Sequence, residues 1–537
     1  MSKLNPKGRD HITKAMTATS HNGNKQFRKN VEQELFEIVV STLYGKDGYY
    51  ESNAQRVTKL RTLVAEVVTK GNLDFIANTI VMARGPMKMR SMPILLTGMF
   101  ARELREQGKS YPALRQLVTD VIQRADQLTD MYAVALQEFG NKRSIPAAIK
   151  KGVADAFNKF GEYGLAKYNR SGAVKLRDVL FMVHPKAHNT EQGAVYERLR
   201  DEALQTPNTW ETGLSEIGQL VAEACKEKGI EKDTTTYNDI LDTAKGEKWT
   251  ELLETDALGY MALLRNLRNI HEVEVPDAVL QKHVYDRLAN PEEVAKSKQL
   301  PFRFLNAMGS VEQFANNRLT RALSRALDAS FANVPEVGKN IWLILDVSGS
   351  MSGGWGRRAN DDSPIAKAAL FTAALVKANA DAHNIKVTWF SDTAGHYKVN
   401  PDDSIMGIND KIMGKIHGGG TNLSAALALK SKLGFEPDTV MVMSDMQVDG
   451  NNHYGLDNCA RKASTMFKPG TMKVAFDFEA YESTPLGEVE GGWYQLAGWS
   501  EKVFDFLPAM RNAQSIVDKL SVPYVGSREI ANLAKAA

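Results

Sequence analysis

The sequence predicts a multidomain protein in which an all-α region is followed by a doubly wound α/β domain. Three observations lead to this fold class. The chain has 537 residues, which is too many for one ordinary core. Apolar residues recur with helical spacing until about residue 335. Beyond that point, short and continuous apolar runs alternate with helical stretches, the pattern of a parallel sheet buried on both faces.

The N-terminal region is predicted to be helical throughout, with no strand before residue 335. Four stretches follow the i, i+3, i+4, i+7 pattern of a buried helix face: Leu60–Val67, Leu114–Val121, Leu176–Val183 and Tyr260–Leu267. Pro146 suits the first turn of a helix that runs to about Phe160. Helix pairs recur at roughly 40 residues, the size of a helical-hairpin repeat. This spacing favours a solenoid-like array of helices.

The C-terminal region carries the signature of an open parallel sheet. The apolar runs at 340–345, 385–390, 439–443 and 472–478 are predicted strands, and the stretches at 363–380, 423–433 and 455–467 are predicted helices. Ligands of such sheets bind at the carboxyl ends of the strands. The candidate site of this region is therefore expected there.

The charge is distributed unevenly along the chain. The net charge is only +3, yet residues 1–200 carry 32 basic and 19 acidic side chains, whereas residues 201–300 carry 11 and 20. The first part is thus a candidate for binding a polyanion. The two cysteines, Cys225 and Cys459, cannot form a disulfide framework. With no secretory signal and no membrane span in the sequence, we expect a soluble protein of a reducing compartment, the cytoplasm.

Five oxygen-bearing side chains are predicted to meet at the carboxyl edge of the sheet. Asp346, Ser348 and Ser350 follow the first strand, Thr421 lies on a glycine loop, and Asp445 ends the run at 439–443. Hard oxygen ligands of this kind suit Mg²⁺ or another divalent cation. A vestigial or merely stabilising cluster is the alternative interpretation.

The densest basic zone spans residues 142–186, which we call the basic zone. It contains Lys167, Arg170, Lys175 and Arg177 among interleaved aromatic residues, as single-stranded nucleic acid requires. Pro185 predicts that a helix ends at His184, where the imidazole could bind a phosphate, a sugar or a base. A second, weaker basic group comprises Arg84, Lys88 and Arg90. The alternative for both groups is a solvated helix surface.

Together these features resemble known families. The metal motif over about 336–537 resembles the von Willebrand factor type A domain with its metal-ion-dependent adhesion site. The stretches 166–186, 261–267, 300–305 and 322–334, in this order before that motif, resemble the Ro autoantigen family, whose helical part is the TROVE domain. The resemblance divides the chain into a TROVE-like helical repeat domain, 1–335, and a von Willebrand factor A-like domain, 336–537.

The resemblance implies a HEAT-like helical ring closed by the adhesion-type domain. It implies an RNA-binding protein without catalysis of its own, acting in RNA quality control or processing. Its ligands would be small structured Y-like RNAs, on the outer surface, and single-stranded ends of misfolded or non-coding RNAs. Lys167, Arg170 and His184 match the family's Y RNA site, although the segment 168–172 is shorter here than in animal members. A protein partner such as an exoribonuclease, no membrane association and a monomeric state are also expected.

Two other functions compete with this interpretation. The first is an Mg²⁺-dependent protein-interaction adaptor without an RNA ligand, whose helical repeats bind another protein. The second is an Mg²⁺-dependent phosphohydrolase or nuclease. The sequence argues against the second, since no second aspartate follows Asp346 by two residues and no cluster of histidines is evident.

Overall fold

The computed structural model divides into two compact units. One contains residues 1–203 and 335–537, and the other contains residues 204–334. The structure describes residues 18–19, 25–41, 53–169, 174–205, 209–314, 316–352, 363–414, 418–448, 463, 465–479, 481, 483–487, 492–497, 507 and 516–535. The predicted domain boundary at 335/336 lies one residue from the unit boundary at 334/335, and the division into 1–335 and 336–537 stays a prediction.

The N-terminal part of the first unit is helical. Its helices are α1 Val31–Ser41, α2 Asn53–Lys70, α3 Leu73–Arg84, α4 Ser91–Glu106, α5 Leu114–Val121, α6 Asp126–Phe139, α7 Ala147–Phe157, α8 Glu162–Tyr168, α9 Leu176–Val183 and α10 Thr190–Arg200. The periodic residues face inward as predicted; Leu117, Val118 and Val179, for example, are fully buried. Pro146 immediately precedes α7, which ends three residues earlier than predicted.

The C-terminal part of the first unit contains a six-stranded sheet. Its strands are β3 Asn340–Asp346, β4 Asn384–Phe390, β5 Ala394–Tyr397, β6 Thr439–Ser444, β7 Met472–Asp477 and β9 Tyr494–Ala497. Their order is β5-β4-β3-β6-β7-β9, and only β5 runs antiparallel to its neighbour. The four predicted strands are confirmed. The short outer strands β5 and β9 were missed because edge strands need no continuous apolar run.

The helices of this part alternate with the strands. They are α19 Pro364–Ala378, α20 Ile405–Met413, α21 Leu423–Ala428, α22 Ile516–Leu520 and α23 Gly526–Lys535. The intervening numbers, α11 to α18, are the helices of the second unit, described below. The predicted helices at 363–380 and 423–433 are confirmed, the second with a 3₁₀ turn over Leu429–Lys432. Most of the helix predicted at 455–467 falls outside the described residues.

The expectation of no strand before residue 335 is wrong. Strand β1, Ala18–Thr19, pairs with β2, Lys25–Arg28, and β2 pairs antiparallel with β8, Ser483–Thr484. A strand with the polar sequence KQFR has neither an apolar run nor an alternating pattern. Its partner lies almost at the other end of the chain, so no local signal reveals the pairing.

The C-terminal segment packs on the N-terminal helices of the same unit. Buried Asn78 of α3 donates hydrogen bonds to the carbonyls of Leu520 and Val522, at 3.0 and 2.8 Å. Asp120 of α5 accepts one from the Tyr524 hydroxyl at 2.7 Å. Hence both ends of this discontinuous unit are joined by specific polar contacts.

The second unit, residues 204–334, is helical in its described residues. Its helices are α11 Trp210–Glu227, α12 Thr235–Glu254, α13 Tyr260–His271, α14 Asp277–Val279, α15 Asp286–Leu288, α16 Pro291–Ser297, α17 Pro301–Ser310 and α18 Asn317–Ser330, with a π-helical turn over Leu280–Tyr285. A small core of Val221, Cys225 and Tyr237 joins α11 to α12. No helix in the described part of the chain is both long and apolar enough to span a membrane.

Candidate metal centre and candidate nucleic-acid interface

The carboxyl edge of the sheet, where β3, β4, β6 and β7 end, concentrates acidic and hydroxyl side chains. Parallel pairing in register brings Asp346 at the end of β3 beside Ser444 at the end of β6. The same pairing brings Ser444 opposite Asp477 at the end of β7. Asp445 follows Ser444 directly. The predicted convergence of strand-end residues is therefore present.

The loop after β3 folds its polar side chains onto this edge. One Asp346 oxygen accepts the Ser348 N–H at 2.9 Å, and the other accepts the Ser444 hydroxyl at 2.5 Å. The hydroxyls of Ser348 and Ser350 lie 3.3 Å apart, and Ser350 is hydrogen-bonded to the Asp445 carboxylate. Four of the five predicted ligands are thus linked to one another.

The glycine loop carrying Thr421 lies against this first loop. Backbone hydrogen bonds join Gly418 N–H to the Val347 carbonyl and Gly349 N–H to the Gly419 carbonyl, each at 3.2 Å. Thr421 is almost completely buried. The structure thus brings all five predicted residues to one place.

Asp392 is a member of the site that the sequence analysis missed. One of its carboxylate oxygens accepts the Gly420 N–H at 2.9 Å, which ties the end of β4 to the glycine loop. Gly419 has a φ of +84°, and a Cβ there would lie 2.1 Å from the other Asp392 oxygen, so this position requires glycine. Asp392 comes two residues after Phe390, the last residue of β4. The strand-end rule, applied to this run as well, could have found it.

Asp445 is under electrostatic strain in its surroundings. It is buried, and its Oδ2 atom has no hydrogen-bond partner. Burial, followed by the nearby Asp346 carboxylate, raises the pKa of Asp445 to about 8. Two buried carboxylates this close repel each other when both are ionised. A cation between them would relieve the repulsion and would satisfy the free oxygen.

The donor set fits a hard divalent cation. Asp346, Ser348, Ser350, Thr421 and Asp445 could hold it through carboxylate and hydroxyl oxygens, with water in the remaining positions. Among the described residues, no three His, Cys, Asp or Glu side chains form a metal cluster. A metal at this edge would therefore depend on neutral hydroxyl ligands, which leave it electrophilic toward an additional acidic ligand.

A second group of acidic side chains at the same edge is neutralised by a lysine of the chain itself. The Lys29 ammonium contacts Glu37 at 2.6 Å and Asp477 at 3.0 Å, and all three side chains are buried. Burial alone would lower the pKa of Lys29, but the two carboxylates outweigh it and raise that pKa. Burial raises the pKa of Glu37 to about 7 in spite of the opposing effect of Lys29. The sequence gives no local signal for this triad.

The end of α9 has the predicted form. The helix stops at Val183, and His184 takes a left-handed conformation, φ +48° and ψ +63°, with its N–H bonded to the Leu180 carbonyl. The His184 side chain is exposed. Its backbone is held in place, so the imidazole is presented to solvent from a defined position.

Asn158, at the end of α7, holds the segment that follows His184. Its amide donates to the Lys186 carbonyl at 3.0 Å. Its oxygen lies 3.0 Å from the Tyr196 hydroxyl, which donates to it, and 3.1 Å from His188 Nδ1. A lone asparagine carries no motif, so no pattern in the sequence points to this residue.

The other predicted residues of the basic zone differ in exposure. Lys175 is exposed just before α9, Arg177 is partly exposed and paired with Glu202 at 3.1 Å, and Lys167 is partly exposed on α8. Arg170 lies outside the described residues. Lys175, Arg177 and His184 therefore share the exposed side of one short helix and its ends.

The second basic group divides into two kinds of residue. Arg84 is buried, and its guanidinium donates to the Val121 carbonyl at 3.0 Å and to Gln127 Oε1 at 2.8 Å. This arginine joins α3 to α5 and α6, and as placed it presents no free cation to a polyanion. Lys88 and Arg90 are exposed in the following turn.

The fold and the edge site define the class of protein: a helical region combined with a von Willebrand factor A-like α/β domain. A search of solved structures supports this class. The crystal structure of the Ro protein of Deinococcus radiodurans matches with a TM-score of 0.60 and 18% identity, over 90% of this chain and 99% of that one. The fold class predicted from the sequence, helical repeats followed by a doubly wound domain, is confirmed.

Sequence comparisons show similarity to TROVE and RO60 proteins. Residues 204–333 match the TROVE domain. RNA-binding protein RO60 of D. radiodurans is 22% identical over 445 residues, which are 78% of this chain and 82% of that protein. RNA-binding protein RO60 of Caenorhabditis elegans is 28% identical over 147 residues, only 25% of this chain and 22% of the worm protein. The chain thus contains a match to the TROVE domain and is similar to an RO60 protein over most of its length. Its TROVE match covers the second unit, whereas the basic zone lies outside that match.

Proposed function

We propose that this chain is a ribonucleoprotein component that binds a small structured RNA through the basic zone. The observation that carries the proposal is the exposed side of α9, where Lys175, Arg177 and His184 face solvent within an N-terminal region of strongly positive charge. A phosphate backbone is the polyanion that such a surface attracts. The acidic residues 201–300 would repel the same ligand.

The names of the relatives support this assignment. Both RO60 proteins are described as RNA-binding. From the family resemblance, we propose that the ligands are a Y-like RNA and the single-stranded ends of misfolded or non-coding RNAs, and that the protein takes part in RNA quality control. We further propose that it works as a monomer in the cytoplasm and has no catalytic activity of its own.

The edge site is proposed to bind Mg²⁺ and, through it, a protein partner. The bound ion would supply an electrophilic centre that an acidic side chain of the partner can ligate. The free Asp445 oxygen and the hydroxyl-rich donor set favour this second function. An exoribonuclease is one expected partner. If no RNA binds, this adaptor function would be the principal one.

The experiment that tests RNA binding is purification at low salt followed by sequencing of the bound RNA. We expect a discrete small RNA with the wild type and its loss from the Lys167→Ala/His184→Ala double variant. Affinity for the recovered RNA should fall steeply between low and moderate salt, because counterions are released on binding. A nuclease would instead cleave the RNA in the presence of Mg²⁺, and cleavage lost in Asp346→Ala would overturn the non-catalytic assignment.

The matched control is Lys232→Ala, an exposed lysine of the acidic second unit. It removes the same positive charge from the chain as the Lys167 substitution. If the control weakens RNA binding as much as the double variant does, net charge and not the basic zone determines binding. Absence of RNA from the wild type at low salt would contradict the proposal altogether.

A further inference from the structure

The basic zone exposes aromatic rings as well as cations. Among the described residues, the large apolar side chains that remain exposed include two aromatic ones, Tyr163 and Phe181, which are 57% and 46% exposed. Both lie in the basic zone, on α8 and α9. A single exposed apolar residue is common on protein surfaces and needs no explanation. The neighbours of Phe181 make it a different case.

Phe181 occupies the centre of the solvent face of α9. The apolar face of this helix is formed by Leu176, Val179, Leu180 and Val183, all of which are buried. The opposite face carries Arg177 and Phe181 at the i and i+4 positions, which are neighbours on a helix, and the exposed His184 follows directly after the helix end. The phenyl ring thus has a cation beside it on its own helix face, and the imidazole follows three residues later along the chain.

The Arg177 guanidinium already interacts with the ring. Its central carbon lies 5.7 Å from the centre of the Phe181 ring, within the range of a cation–π contact. Arg177 is also paired with Glu202 at 3.1 Å, with both side chains largely exposed. An exposed ion pair of this kind is weak, so a phosphate can compete for the guanidinium. The ring therefore lies beside a cation that can bind an RNA phosphate.

We propose that Phe181 is a stacking platform for an unpaired base of the RNA ligand. In this arrangement the base lies on the phenyl ring, Arg177 binds the neighbouring phosphate, and His184 hydrogen-bonds the nucleotide on the other side. The inference rests on the proposed RNA-binding function and adds the class of RNA: one with at least one accessible unpaired nucleotide. A continuous duplex offers no base that could stack on the ring, since its bases are stacked on one another and its deep groove is closed to side chains.

The test compares two RNA probes with a set of variants at position 181. The probes are a short mixed-sequence RNA strand and the same strand annealed to its complement. We expect Phe181→Ala to weaken binding of the single strand by about 5- to 150-fold, the range measured when one stacking side chain is lost. Binding of the duplex should change little. Phe181→Trp should retain single-strand binding, whereas Phe181→Leu, which keeps apolar bulk without a π-face, should behave like the alanine variant.

A spectroscopic readout separates stacking from a general loss of affinity. A single-stranded probe carrying 2-aminopurine should lose fluorescence when the protein is saturated with it, since stacking quenches this base. The quenching should persist in Phe181→Trp and disappear in Phe181→Leu. Thermal unfolding of each variant should remain close to wild type, because the ring is half exposed. Leu220→Ala is the matched control. Leu220 is 60% exposed on α11, in the acidic part of the chain, and its substitution should change neither RNA affinity nor quenching.

The outcomes distinguish this inference from the proposed function. If Lys167→Ala/His184→Ala weakens RNA binding but Phe181→Ala does not, the RNA-binding function stands and the stacking platform is wrong. Equal losses for single strand and duplex would also overturn it, as would strong binding by Phe181→Leu. If no RNA binds the wild type, the proposed function itself fails. Binding of a basic-zone protein partner that Phe181→Ala abolishes, without RNA binding, would assign the exposed ring to a protein interface instead.

Discussion

Two acidic groups at the carboxyl edge of one sheet are neutralised in different ways. At the end of β7, Asp477 contacts the buried ammonium of Lys29, a cation that the chain supplies itself. Around Asp445, the charges that act on the carboxylate are the like charges of Asp346 and Asp477, and one oxygen has no hydrogen-bond partner. The second group therefore fits the cation from solution that we propose for it, whereas the first group fastens the N-terminal segment to the sheet.

The largest effect is expected when the internal cation is removed. Lys29→Met would leave Glu37 and Asp477 buried without their shared partner, and breaking a buried ion pair in this way costs about 3–5 kcal/mol of stability. Urea-induced unfolding measures the loss. The control is Lys70→Met, since Lys70 pairs with Glu32 at the same 3.0 Å distance but is half exposed; its cost should stay below about 1 kcal/mol.

A second variant keeps this prediction testable if Lys29→Met does not fold. Lys29→Met/Glu37→Gln also removes one of the two stranded charges and should recover part of the lost stability. Similar losses for Lys29→Met and Lys70→Met would mean that the buried triad contributes no more than a surface pair. The internal cation would then not be what distinguishes the Asp477 group from the Asp445 group.

Mg²⁺ should stabilise the wild type through the other group. At a concentration of about 100 times the dissociation constant, a ligand that binds only the folded state adds about 2.7 kcal/mol. Asp445→Asn should abolish this gain, measured as the shift of the unfolding temperature with added Mg²⁺. Without metal, the same variant should be at least as stable as the wild type, because it removes a carboxyl group whose ionised form is disfavoured by burial and by Asp346. Asp410→Asn, at an exposed position of α20, should leave the response to Mg²⁺ intact.

The two acidic groups also differ in what could be predicted from the sequence. The Asp346–Asp445 cluster follows from strand ends and loop motifs, because parallel pairing fixes where those ends meet. Asp392 was accessible to the same rule. The Lys29–Asp477 contact was not, since the two residues are 448 positions apart and Lys29 directly follows β2, a polar strand without periodicity. The basic zone shows a third case: its composition predicts a cationic surface, but only packing reveals that Arg84 is buried while Phe181 is exposed.

The response to Mg²⁺ should depend on pH. The pKa of Asp445 is about 8 in the folded, metal-free protein, and an unfolded aspartate titrates near 3.9. Between these values the folded state binds more protons, so the stability of the metal-free protein falls as the pH rises. Because Mg²⁺ must displace that proton, its apparent affinity should rise by up to about tenfold per pH unit below 8. Calorimetric titration at pH 6.5 and 7.5 measures this change, and equal affinities would contradict a proton held by Asp445 in the metal-free protein.

The smallest effect on stability is expected at the exposed face of α9, where the ion pair is in solvent and not buried like the Lys29 triad. Glu202→Gln removes the partner of Arg177, an ion pair with both side chains largely in solvent, and should change the unfolding free energy by less than about 1 kcal/mol. The same change frees the guanidinium and removes a negative charge beside the proposed RNA, so RNA affinity should rise at low salt and the gain should vanish at high salt. Urea unfolding and RNA titrations at two salt concentrations measure both quantities. A large loss of stability together with unchanged RNA affinity would mean that Glu202 holds the helix in place, and that charge at this face supports the fold and not a ligand.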